Sequence, residues 1–446
     1  MRNSLFIYAL TFVIASFLIM ATAADTYGSE AEIVGKVKSE GVCDKGFFNV
    51  WNYQDRYWFE IPDSLFSREM LLVTCRARTS MDMGFRSESI DERVFVWEKR
   101  GDDKIELSAK SFRKVAADGS ELAEAVKDCM LPTIMATFDV VGESADGNAM
   151  IEVTDLFRKD LLAFGLDYHL KKKYSIGSLD DKSSYIDYIK SFPSNIDVLS
   201  TKTYSLSGSS DVIEDEGLRV ATIQIHNSLL LLPRTPMLPR YSDIRVGYFS
   251  RRQYDYGFDG AQRAVKTSYI NRWKLEPSDP EAYFAGKIVD PVKPIVFYLS
   301  PAIPKKWAEY FKKGVEDWQE AFRAAGFSNA IVAKTVPTKE EDPDFDPLDA
   351  RYSMIEYFPS YVENSYGPSV ADPRSGEIIN SHVCIYHNAM KLLHDWYMIQ
   401  CGQVDLQARK MVYDDELMGR LVRYLVCHEV GHTLGLMHNF GASNAF

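Results

Sequence analysis

Residues 428–438 read HEVGHTLGLMH, and this spacing constrains the fold more tightly than any other stretch of the chain. His428 and His432 are four apart, so on a helix their imidazoles lie on one face, about one turn from each other. That separation suits two nitrogen ligands on one tetrahedral zinc, each at about 2.0–2.1 Å. Glu429 follows the first histidine and projects beside such a metal, where a carboxylate can move protons. Gly435 can leave the helix with positive φ at little steric cost, and the chain then turns so that His438 becomes the third ligand. Three neutral histidines leave the metal its charge and a fourth, open position. The plain alternative is an amphipathic helix whose histidines are incidental.

The stretch leading into the motif supports a helix. Asp414-Asp415-Glu416 suits a helix N-terminus. Leu417, Leu421, Tyr424, Leu425 and His428 form the expected apolar face, and the helix should end at Gly435. Further upstream, Pro294–Leu299 (PIVFYL) reads as a buried strand, and Pro304 suits the first turn of a following helix. Trp307, Phe311, Val315, Trp318 and Phe322 make one helical face, closed by Gly326. Strands are expected from Ala330 and over Arg351–Phe358, and an antiparallel pair flanks the turn Asp372–Gly376. This order implies an α/β layer domain over residues 291–446. The acidic loop Glu340–Asp349 departs from the EF-hand pattern at Pro347 and Ser353, so it reads as a solvated loop.

Residues 25–290 read mainly as β-structure. Met70–Cys75, Val94–Trp97, Ile134–Val141 and Val220–Ile225 are short runs of β-branched and aromatic residues between turn clusters. Thr137–Val141 and Ala149–Val153 form a hairpin candidate. The fold class expected is therefore α+β: a β-rich N-terminal region followed by an α/β unit carrying the motif.

Residues 1–24 have the form of a signal peptide: Arg2, an apolar run from Leu5 to Met20, then Ala21-Thr22-Ala23. The expectation is export to the periplasm, the cell surface or the medium, with no membrane span in the mature chain. A formal charge of −12 argues against nucleic acid and anionic membranes as partners. The six cysteines include no CxxC pair, which leaves bridges and buried free thiols both open.

The string HEVGHTLGLMH resembles the metzincin signature. With YHNAM, DELMGRLVRY and HNFGAS, the stretch Pro294–Ala442 is similar to a family of large secreted bacterial zinc metalloproteases. The resemblance implies that His428, His432 and His438 bind zinc, that Glu429 is the catalytic base, and that the substrate is a protein or peptide. It also implies that the strand near Ser365–Val370 forms the cleft edge. Metzincins carry a methionine-containing turn downstream of the motif, and this sequence stops eight residues past His438 (446 − 438). On that basis the catalytic unit is expected to be incomplete, with weak zinc binding. Two other functions share the motif: a zinc amidase acting on cell-wall peptides, and an inactive surface-binding protein. His382 and His387 are placed on opposite faces of a strand, so a shared metal is not expected; His387 could support the site, but ordinary packing or hydrogen bonding is the expected role, and Cys427 is expected to face away from the metal.

Overall fold

The computed structural model describes residues 30–80, 83–116, 120–207, 219–257 and 262–445; the expected signal peptide lies outside them. Strand exceeds helix, 37% to 25%, and most of the strand belongs to the first two-thirds of the chain. The chain is therefore mixed α/β with a β-rich N-terminal region.

That region is built on an antiparallel sheet of twelve described strands. Its centre runs in the order Lys104–Lys110, Ser89–Arg100, Met70–Thr79, Val220–Leu231 and Asn195–Leu206. The apolar runs seen in the sequence all lie in strands: Met70–Cys75 and Val220–Ile225 open theirs, Val94–Trp97 lies inside Ser89–Arg100, and Ile134–Val141 lies inside the neighbouring Thr133–Glu143. The candidate hairpin forms, Thr133–Glu143 pairing with Ala149–Glu152. In the middle of the sheet both faces are covered. One face buries Phe59, Phe95, Trp97, Phe157, Ile196 and Leu229 in the main core. The other buries Leu71, Val94, Leu230 and Leu232 against Ala350, Val370 and Ile379 from the C-terminal third. Period-two alternation makes this double use possible, because successive side chains leave a strand on opposite sides.

The C-terminal third holds a second sheet. Its strands are β1 (Ile295–Leu299), β2 (Ile331–Thr335), β3 (Ser353–Phe358), β4 (Ser365–Tyr366), β5 (Ser369–Ala371) and β6 (Ile378–Tyr386). The spatial order is β2-β1-β3-β6-β4, with β5 also on β6. The first four strands are parallel, and β4 and β5 return antiparallel to β6 along the edge. The return needs a tight turn, which Asp372–Gly376 makes with Gly376 at φ +75°.

The helices that accompany this sheet include α1 (Lys305–Glu316), α2 (Gln319–Ala324), α3 (Ala389–Cys401) and α4 (Asp415–Thr433), and a short helix, Phe440–Ala445, follows. Trp307, Phe311 and Val315 on α1 are buried as their spacing requires. The apolar face continues to Trp318 and Phe322, but the helix breaks at Asp317–Trp318, where the Trp318 indole donates to the Cys427 carbonyl at 2.9 Å. Helix α4 is capped by the Asp414 side chain, which accepts from the Leu417 N–H at 2.9 Å. It ends at Thr433, two residues before Gly435 at φ +97°.

The expected stripe of α4 is in part the buried one: Leu417 is buried, and Leu421 and Leu425 pack against the core. Tyr424 is 65% exposed, whereas Val422, Val426 and Val430 belong to the core with Leu417. Packing on α1 decides this. At Gly314 a Cβ would lie 2.7 Å from the Arg423 carbonyl oxygen and 2.8 Å from the Val426 Cβ, so only glycine lets the helices approach on that line. All six cysteines are free thiols. No described helix is long and apolar enough to cross a membrane.

Candidate metal centre

Helix α4 presents His428 and His432 one turn apart, with ring centroids separated by 4.7 Å. The chain leaves the helix at Gly435 and returns His438 to the same point. His438 Nε2 lies 3.1 Å from His428 Nε2 and 3.1 Å from His432 Nε2. The ligand atoms of the three rings all fall within 4.8 Å of one another, the one such group among the described residues. Hydrogen bonding alone does not account for this. An Nε2 carries a single in-plane site, a proton or a lone pair, and so serves one neighbour in a linear bond. Two nitrogens on a tetrahedral zinc at about 2.0–2.1 Å sit roughly 3.3–3.4 Å apart, close to the spacing found. The residues present therefore fit a metal ion.

The surroundings prepare the rings for that role. His432 Nδ1 donates to the Leu436 carbonyl at 2.8 Å, which fixes the tautomer and aims the Nε2 lone pair at the cluster. Burial, and then the proximity of His432 and His438, lower the proton affinity of His428. Metal ligation needs that neutral form.

Glu429 is placed beside the cluster and is not part of it. Its side chain is buried, 5% exposed, and its carboxylate accepts from the Ser365 hydroxyl and the Gly367 N–H at the sheet edge. Burial raises its pKa above the ordinary carboxyl value, against the opposing effects of Ser365, the two nearby histidines and Gly367. A carboxyl shifted upward in this way is a better proton acceptor near neutrality. The edge comes this close because residue 367 is glycine: a Cβ there would lie 2.4 Å from the Glu429 carbonyl oxygen.

Other histidines have their own partners. His387 Nδ1 meets the Tyr357 hydroxyl at 2.7 Å, His382 lies 3.8 Å from Glu356, and His226 pairs with Asp197 at 2.6 Å. Cys427 is half-buried and outside the cluster, and Cys43 pairs with Trp51 in the N-terminal sheet. In the acidic loop Asp346 binds Lys190 and Asp349 binds Arg351, so these two carboxylates serve structural pairs.

The resemblance placed the Ser365–Val370 strand at the cleft edge, but sequence reasoning missed the bonds of Ser365 and Gly367 to Glu429 and the segment Gly247–Phe249, which pairs with the loop between the second and third histidines. Nothing local marks these residues, because each acts on a site distant in the chain.

Three families match parts of the chain. Residues 35–79 match a domain of unknown function (DUF5118), and residues 87–278 match another (DUF5117). No curated protein and no solved structure matches. Residues 410–446, which hold α4 and all three histidines, match the family described as Met-zincin, and this short match together with the histidine cluster makes the chain a metzincin-like candidate.

Proposed function

We propose that this protein is a zinc-dependent endopeptidase, with His428, His432 and His438 as metal ligands and Glu429 as general base and acid. The observation that carries the reading is the meeting of three Nε2 atoms beside a buried carboxylate that is not one of them. Zinc, when bound, supplies Lewis-acid chemistry: it acidifies water and polarises a carbonyl. The chain's own residues supply the rest. Glu429 accepts a proton from the attacking water and passes it to the departing amine nitrogen as the C–N bond breaks and the new C–O bond forms. Ser365 and the Gly367 N–H hold the Glu429 carboxylate in one orientation throughout. The outer side of β4 pairs with no described strand, and an extended peptide can add there through main-chain hydrogen bonds. Export of the protein accords with this reading and rests on the apolar segment Leu5–Met20.

Elemental analysis tests the metal, and a peptide-cleavage screen tests the chemistry. The expected results are about one zinc per chain, its loss in His432→Ala, and retained zinc in Glu429→Gln with cleavage lowered roughly 10²–10⁴-fold. A chain that binds no zinc, or a Glu429→Gln variant as active as the parent, overturns the reading.

A further inference from the structure

The loop that delivers His438 is only partly held by its own helix. Gly435 N–H donates to the His432 carbonyl at 2.9 Å and Leu436 N–H to the Gly431 carbonyl at 3.1 Å, which closes the end of α4. Beyond Leu436 the support comes from elsewhere. Met437 N–H donates to the Gly247 carbonyl at 2.9 Å, and Phe249 N–H donates to the Gly435 carbonyl at 2.8 Å. These bonds bracket an antiparallel bridge between Tyr248 and Leu436.

The bracing segment is itself braced. Asn271 N–H donates to the Phe249 carbonyl at 2.7 Å, so residues 247–249 lie between residue 271 and the ligand loop. Asn271 also reaches the loop directly, since a Cβ on Gly435 would lie 2.1 Å from its carbonyl oxygen. The Trp273 indole donates to the Thr433 carbonyl at 2.9 Å. The Phe249 ring packs on the ligand itself, its centroid 5.8 Å from that of His432. Residues 247–273 fall within the stretch matching DUF5117, and the loop falls within the Met-zincin stretch.

We propose that Gly247–Phe249 is a positioning strap for the metal site: the β-rich region sets the His432 ring and the path of the chain to His438, and metal affinity depends on it. The proposal rests on the reading of the three histidines as a metal centre. Its physical basis is preorganisation. Without the strap, residues 437 and 438 are free of α4, and metal binding must order them; with it, that ordering is done on folding. Phe249 gives the His432 ring an apolar wall in addition to the hydrogen bond at Nδ1.

The test is a Co²⁺ titration of the full chain, followed by visible absorption, with the metal-free fold checked by far-UV circular dichroism and thermal unfolding. Phe249 is 40% exposed, so its truncation spares the main cores. Phe249→Ala is expected to weaken Co²⁺ binding roughly 10–100-fold and move the spectrum toward that of His438→Ala, with Phe249→Leu recovering most of the loss. Trp273→Phe keeps an aromatic ring against Phe297 and removes the donor to Thr433, and is expected to weaken binding about tenfold. Parental affinity and spectrum in both Phe249→Ala and Trp273→Phe, alongside a clear loss in His438→Ala, overturn the strap and leave the metal site standing. If the parent binds no Co²⁺, or His438→Ala binds like the parent, the metal reading fails and the strap fails with it.

Discussion

Two buried glutamates show how the number of donors decides the state of a carboxyl. Glu429 has Ser365 and Gly367, and burial prevails, so its pKa is raised. Glu60 is 1% exposed, and burial acts on it in the same direction. Against this stand Trp51 Nε1 at 2.8 Å, Asn49 at 3.1 Å, Lys38 Nζ at 3.0 Å and the Ser144 hydroxyl, which together bring its pKa down from 4.5 to about 2. A depressed carboxyl stabilises the fold above its unfolded pKa and loses that contribution as pH falls through the folded value. Glu60→Gln is therefore expected to lower unfolding free energy at pH 7 by on the order of 3 kcal/mol. The gap from the parent should close between about pH 4.5 and pH 2. Urea unfolding across that range checks it; a gap independent of pH refutes the assignment.

At the scale of elements, the site depends on where α4 lies against α1. Two of the closest contact points are glycines: Gly314, facing Arg423 and Val426, and Gly419, facing the Tyr310 ring. In an exposed helix, Gly→Ala gains about 1 kcal/mol in propensity. Here the added methyl meets backbone at 2.7 Å, and overpacking of that kind costs roughly 1–3 kcal/mol. Overpacking should win, so Gly314→Ala is expected to be destabilising by about 1 kcal/mol or more. The same substitution should weaken zinc binding, because α4 carries His428 and His432. A stabilised Gly314→Ala would mean that the helices have room to separate.

Across the whole molecule, the two sheets are joined by polar contacts as well as by their shared apolar face. Asn195 donates to the Leu348 carbonyl at 2.9 Å and accepts from Ala350 N–H at 2.9 Å. Arg374, at the tight turn beside β5, holds the Asp372 carboxylate at 2.6 Å, Glu69 at 3.0 Å and the Pro233 carbonyl at 2.7 Å. Asp372 has no exposed surface. Removing its cationic partner leaves a buried charge unpaired, a loss worth roughly 3–5 kcal/mol. Arg374→Met is expected to lower stability by about that amount in denaturant titration; a change below about 1 kcal/mol would show that solvent reaches Asp372.

What the sequence alone determined is what local periodicity encodes. The helix around His428 and His432, its start at Asp414, its end near Gly435, the face of α1 and the apolar parts of several strands all follow from spacings within one element. The convergence of His438 was legible for the same reason, since it needs only a helix end and a turn. Tertiary structure decided the rest. It buried Val422, Val426 and Val430 and left Tyr424 exposed while Leu421 and Leu425 pack against the same core, because the neighbouring elements decide which part of a broad apolar face is covered. It brought Ser365 and Gly367 to Glu429, and Gly247–Phe249 to the ligand loop, by pairings between segments distant in the chain. Such pairings leave no periodic trace in either partner, so they become visible only once the sheets have formed and packed together.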